Sequence, residues 1–262
     1  MTTKNRTATL LTPAIIALAS LVLTTSNASA ATLFADNFDR ADSEDLNALT
    51  TGKSGTLGTL NWVEQSFLGG TRVHTNELQL GETGGGGGGW AIAYVDHNFT
   101  DSVISSSGGF SVSVDLLDYS SAGGTRFTGI AVGHSKAELD GWSDNIPTLF
   151  ASDFFVGMDP TGIDELKIFT NGTEDFQTNI TQNAPDTLRV DFTSITDFNL
   201  GSSVSYEVFV NDNSLKAGTF TWSGANENYL GLYSNYTSLG SETDNFAITV
   251  VSPPPGTMML IR

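Results

Sequence analysis

The chain has 262 residues, 28 of them glycine and none cysteine, with 11 basic against 29 acidic residues and a formal net charge of −18. A surface this negative repels nucleic acid and anionic lipid, so neither is expected as a partner. The missing thiols exclude disulfides, thiolate zinc sites and cysteine nucleophiles, which leaves core size or a bound metal to hold an exported fold together.

Residues 1–30 read as an export signal. Lys4 and Arg6 make a positive start, the apolar run from Leu10 to Leu23 is too short to span a bilayer comfortably, and Ala28-Ser29-Ala30 supplies the small residues of a cleavage site. An uncleaved membrane anchor is the alternative reading. Cleavage would leave a secreted, extracellular chain with no stable membrane insertion. The mature 232 residues would carry 9 basic against 29 acidic residues, a length that suits one domain over 31–251.

Beyond Ala31 polar and apolar residues alternate with a period of two, which predicts strands. Phe110, Val112, Val114 and Leu116 oppose Ser111, Ser113 and Asp115. Leu188, Val190 and Phe192 repeat the pattern, as do Val204, Tyr206, Val208 and Val210. Further strands are expected from Trp90, Arg126, Asp153, Glu165, Gly218, Tyr229 and Asp244. Asn171-Gly172 and Asn211 to Asn213 predict hairpin turns, because Asn and Gly tolerate positive φ. Ser135 to Trp142 is the one stretch with helical character. The six glycines Gly84 to Gly89 lack the strand before, the helix after and the Lys-Ser/Thr of a phosphate loop, so they read as a surface loop. About a dozen strands with frequent turns predict an all-β sandwich of two antiparallel sheets.

"LFADNFDRADSEDLNA" from Leu33, followed by Asn61-Trp62, resembles the opening of concanavalin A-like, laminin-G-like jelly-roll domains of bacterial secreted proteins. "VSYEVFVNDNSLKAGTFTW" is similar to their late hairpin, and "NYLGLYSNYTSLGSETDNFAITVV" to their final strand pair. The resemblance implies a two-sheet jelly-roll sandwich whose first and last strands are neighbours. It leaves function open, since this fold hosts lectins, glycanases, lyases and adhesion modules. Asp36-Asn37-Phe38 near the start recurs as Asp244-Asn245-Phe246 near the end. Neighbouring strands would set Phe38 and Phe246 side by side in the core and send Asp36 and Asp244 the opposite way. Two adjoining carboxylates require a positive partner. The expected one is a structural Ca2+ ion held by Asp36 and Asp244, with Asn37, Asp39 or Asn245 assisting and backbone carbonyls completing its oxygen shell. Solvated acids at two strand starts are the plainer reading.

Catalytic signatures are absent. No strand carries the Glu-x-Asp-x-(x)-Glu pattern of glycosidases on this fold, and the Gln-Ile-His and Arg-x-Glu-x-Arg phrases of jelly-roll lyases are missing. His74, His97 and His134 lack zinc spacing, and no Gly-x-Ser-x-Gly elbow occurs. The expectation is a non-catalytic carbohydrate-binding or matrix-associated module. The alternative is a polysaccharide-cleaving lyase or glycoside hydrolase with a divergent site on the concave sheet. For polysaccharide or glycan binding the candidates are Trp142 with Asp140, Asp144 and Asn145, and Tyr233 with Asn235 and Tyr236. An aromatic face can stack on a sugar ring while Asp and Asn bond its hydroxyls. Trp62, Trp90 and Trp222 read as core. The tail 252–262 resembles the start of a PEP-CTERM sorting signal, with Pro254 where Glu is expected; a short proline-rich linker end reads equally well.

Overall fold

The computed structural model describes residues 30–67, 70–81, 89–118, 127–140, 152–159, 165–181, 185–224, 226–236 and 241–251. The expected export signal, most of the glycine run, Trp142, Asp144, Asn145 and the proline-rich tail lie outside the described residues. Within them the chain runs β1 (Thr32–Asp36), β2 (Lys53–Ser54), β3 (Trp62–Phe67), β4 (Thr71–His74), β5 (Glu77–Leu80) and β6 (Gly89–Val95). Helix α1 (Ser102–Ser107), β7 (Gly109–Asp118), β8 (Thr128–His134), helix α2 (Lys136–Asp140) and β9 (Phe154–Asp159) follow. Then come β10 (Glu165–Thr170), β11 (Thr173–Asn179), β12 (Asp186–Thr193), β13 (Ser203–Val210), β14 (Asn213–Thr221), β15 (Tyr229–Tyr236) and β16 (Ser241–Val250).

Two antiparallel sheets form. One follows the order β14-β13-β12-β7-β16-β1-β2, with β5 paired to β16 and β4 to β5. The other follows β11-β10-β9-β8-β15-β6-β3. The alternating residues meet between the sheets as expected. Phe110, Val112, Val114, Leu188, Val190, Phe192 and Val208 from one side bury against Ala91, Ala93, Ile130, Val132, Phe154, Val156 and Ile168 from the other. The two hairpins also form where the turn residues predict them. Asn171 and Gly172 have φ of +48° and +73°, and Asn211 and Asp212 of +50° and +61°, the left-handed pair that suits the twist of antiparallel strands.

The first and last strands are neighbours, with Asp36 opposite Phe246 and Phe34 opposite Ile248. This register corrects the expected arrangement of the twin phrases. Side chains opposite each other across two strands share a face. Asp36 therefore points inward with Phe34 and Phe246, and it is fully buried. Phe38 lies beyond the end of β1 at a φ of +49°. Both Phe38 and Phe246 are buried, but Trp62 of the opposite sheet is the ring that both pack on, at centroid distances of 5.8 and 5.1 Å. Phe34 packs on the same indole at 5.8 Å. In β16 the register shifts between Asp244 and Ala247, and Asn245 adopts a φ of +51°. This bulge reverses the alternation, so Phe246 faces the core while Asp244 pairs with Asp115 on the outer face. The two aspartates thus leave the sheet on opposite sides.

Removing the Phe246 ring would open a cavity where the last strand packs edge-on against Trp62. Phe246→Ala is expected to cost about 3–5 kcal/mol. That corresponds to a midpoint lower by roughly 10 °C for a domain of this size, read by scanning calorimetry.

Candidate functional site

The outer face of the seven-stranded sheet carries a second apolar cluster: Trp90, Ile92, Tyr94, Phe127, Ala131, Phe155, Phe169 and Tyr233, with Leu139 of α2 laid upon it. Local alternation puts these residues there, since their neighbours Ala91, Ala93, Phe154, Val156 and Ile168 face the main core. Gly157 makes room for the cluster: a Cβ on it would meet the Phe155 ring at 2.6 Å. A sheet face this aromatic is unlike the polar outer face of the other sheet, where Ser111 bonds Asp191 and Thr187 bonds Asp115.

Polar groups rim the cluster. Helix α2 begins with a reciprocal cap, in which the Ser135 N–H donates to Glu138 Oε2 at 2.7 Å and the Glu138 N–H donates to Ser135 Oγ at 3.2 Å. The Lys136 N–H donates to Glu227 Oε2 at 2.6 Å, and Gln65 Nε2 to the Leu139 carbonyl at 2.8 Å. These bonds tie α2 to β3 and to the segment just before β15. The Lys136 ammonium pairs with Asp140, lies 3.4 Å from the Tyr94 hydroxyl and stands 5.8 Å from that ring's centre. Bonding to Asp140 holds this ammonium above its ordinary pKa. Tyr229 meets Tyr94 edge-on at 6.4 Å and is half-buried; burial first, and then Glu227 and Asp96, push its hydroxyl pKa up. At the far end Lys167 pairs with Glu165 at 3.2 Å, and Gln177 Nε2 donates to Glu165 at 2.6 Å.

Of the residues expected to bind glycan, Asp140 is exposed at the end of α2. Tyr233 is on this face but only 2% exposed, packed 5.8 Å from Phe155, so it is a wall of the cluster and not an open stacking surface. Asn235 and Tyr236 lie in β15 opposite Trp90 and Gly89. Trp62, Trp90 and Trp222 are buried, as expected. Tyr229 and Lys136 carry no binding signature of their own in the sequence. The capping box Ser135-Lys136-Ala137-Glu138 was the available signal for the helix that positions Lys136.

At the seam between β1 and β16 the positive partner of Asp36 is Arg40. Its Nη1 donates to Asp36 Oδ1 at 2.6 Å and its Nη2 to Oδ2 at 3.0 Å. The Phe38 N–H adds a bond to Oδ1 at 3.0 Å, and Trp62 Nε1 one to Oδ2 at 2.8 Å. Each oxygen thus accepts two N–H groups, the full capacity of a carboxylate. Arg40 also donates to the carbonyls of Leu46 and Thr51, both at 3.2 Å. The expected calcium ligands do not converge. Asp244 accepts the Asn245 N–H, Asn245 Nδ2 donates to Asp115, and Asn37 Oδ1 accepts the Asp39 N–H. A cavity of about 250 Å³ between the two phrases is lined by Asp36, Asn37, Gly52, Ser54 and Asn245 among others, and Asp36 meets it with both oxygens already bonded. Among the described residues no group of three or more His, Asp or Glu side chains is placed to hold a metal ion. The residues present do not fit the calcium clip.

His134 and Asp153 are buried with opposed consequences. The bulge at Gly133 sets His134 opposite Tyr229, where burial lowers its pKa to about 4. Asp153 accepts bonds from the Ser223 N–H and hydroxyl, yet burial still raises it to about 6.

Cutting one partner from the buried ion pair leaves the other charge stranded, so Asp36→Asn is expected to cost about 3–5 kcal/mol, while the double variant Asp36→Leu/Arg40→Met should lose less than the two single changes summed. Urea titrations of the four proteins measure this. For His134 the folded state disfavours the proton that the unfolded chain accepts below pH 6.5. Stability is therefore lost as pH falls from 6.5 towards about 4, by about 3 kcal/mol. Asp153 acts the other way, its contribution being lost as pH rises from 3.8 to about 6. His134→Leu should accordingly gain stability relative to wild type on acidification, and Asp153→Asn should lose it, as read from denaturation midpoints between pH 4 and 7.

No family model matches the chain, and no curated protein matches it. Solved structures do. The carbohydrate-recognition domain of Emp46p in its potassium-bound form superposes with a TM-score of 0.51 at 10% identity, over 71% of this chain and 87% of that one. The corresponding domain of Emp47p gives 0.50 at 10% identity, over 72% and 86%. A lectin from Bauhinia forficata in complex with GalNAc gives 0.50 at 11% identity, over 81% and 98%. At such identities the likeness speaks for the fold alone, and the fold is the legume-lectin-like, concanavalin A-like jelly roll.

Proposed function

We propose that this chain is a secreted, non-catalytic carbohydrate-binding module associated with an extracellular polysaccharide matrix. The observation that carries the reading is the rim formed by Tyr94, Tyr229, Lys136 and Asp140 beside the aromatic face of the seven-stranded sheet. A half-buried Tyr229 ring suits the C–H face of a sugar, and the Lys136–Asp140 pair supplies both donors and an acceptor for its hydroxyls. The likeness to carbohydrate-recognition domains agrees with this reading, and the export signal expected over residues 1–30, with the strong negative charge, supports an exported protein.

Cleavage of glycan finds less support. A hydrolase needs two carboxyl groups on the ligand face with their pKa values driven apart. The neighbouring acids Glu77 and Glu242, of which Glu77 is raised by burial and then by Glu242, lie instead on β5 and β16 of the other sheet.

On a glycan array the protein is expected to retain at least one neutral polysaccharide class. Tyr229→Ala and Asp140→Ala should each weaken that retention about tenfold, near 1.4 kcal/mol, with the melting midpoint preserved. Retention of no glycan, or release of reducing ends or unsaturated sugars from alginate or laminarin, rules the reading out.

A further inference from the structure

We propose that Arg40 stands in for a metal ion at the seam of the first and last strands, so that the closure of this sandwich between Asp36 and Asp244 is independent of calcium. Three observations carry this. First, Asp36 has no acceptor site left: the guanidinium, the Trp62 indole and the Phe38 amide fill all four. A cation approaching either oxygen would have to displace a bidentate Arg40 and would meet its charge at contact distance. Second, the bulge at Asn245 turns Asp244 to the outer face while Asp36 points inward, so one ion cannot bridge them. Third, the amides flanking the cavity are engaged within their own loops. Asn245 Nδ2 donates to Asp115 at 2.9 Å, and the Asn37 side-chain oxygen accepts the Asp39 N–H at 3.2 Å.

The guanidinium also does what a bound ion would do for the loop. Its two terminal nitrogens reach the carbonyls of Leu46 and Thr51, tying the 41–52 excursion to the sheet edge. Asn47 extends that tie by donating to the Trp62 carbonyl and accepting the Trp62 N–H, both at 2.8 Å. Unlike a bound ion, the guanidinium is part of the chain and cannot diffuse away. Burial first, and then the charges of Asp115, Asp36 and Asp39, raise the Asp244 pKa. Neutralising it should relieve the fold.

The test is scanning calorimetry of the purified protein in EDTA and in millimolar CaCl2, for wild type, Asp244→Asn and Arg40→Lys. The midpoint of Asp244→Asn should match or exceed wild type in both buffers. Any response to calcium should be the same size in Asp244→Asn as in wild type, because it would arise away from the seam. Arg40→Lys, which cannot bond both carboxylate oxygens in one plane, should lower the midpoint by roughly 5–10 °C in both buffers. A calcium-dependent rise in wild type that disappears in Asp244→Asn overturns the proposal, as does an Arg40→Lys midpoint equal to wild type. Should Arg40→Lys fail to accumulate as folded protein, the calcium response of Asp244→Asn decides alone.

Discussion

The closure of this sandwich depends on one buried charge being fully answered. Asp36 lies at the end of the first strand with no exposure to water, where an unpaired carboxylate would be too costly to keep ionised. Arg40, four residues on, answers it from the same loop, and Trp62 answers it from the opposite sheet. The indole that donates this hydrogen bond is also the ring on which Phe34, Phe38 and Phe246 pack. Charge neutralisation, inter-sheet packing and the pairing of the chain's two ends therefore meet in a single cluster. Such coupling suits a protein without cysteine, whose ends must be held by side chains.

Two bulges decide what each sheet presents. At Asn245 the extra residue keeps Phe246 in the core while sending Asp244 outward. At Gly133 the same device sets His134 opposite Tyr229 on the outer face of the seven-stranded sheet. Without that shift, strict alternation would put His134 on the inner face with Ile130 and Val132. One-residue insertions of this kind reassign faces without disturbing the ladder beyond them. They are the reason the acidic phrase repeated at both ends does different work at each: a buried counter-charge in β1 and a turn of the strand in β16.

The seven-stranded sheet is apolar on both sides, which sets it apart from its partner. Its inner face belongs to the main core, and its outer face holds a separate aromatic cluster with α2 seated on it. A sheet buried on one face usually gives its other face to water. Here, among the described residues, charged and amide groups gather at the margins, with Lys136 and Asp140 on one end and Glu165, Lys167 and Gln177 on the other. Recognition chemistry is thereby concentrated on the rim, where rings and charges adjoin.

Alternation in β7, β12 and β13, and turn residues at Asn171-Gly172 and Asn211-Asp212, carried the all-β class and much of the strand list, because period-two burial and positive φ are local properties. β11 is marked in the sequence only by the Asn171-Gly172 turn before it, since its edge position leaves "TEDFQTN" largely polar, and the short β2 and β5 draw their stability from neighbours and not from their own pattern. The candidate site was less legible. Tyr233 and Asp140 stand out in the sequence as members of local aromatic-and-polar clusters, but burial closes the first and α2 positions the second. The partner of Asp36 was written four residues away, yet only the fold could choose between an internal guanidinium and an external ion. That choice rests on which face each side chain takes, and faces after a bulge are set by cross-strand pairing that no local stretch of sequence contains.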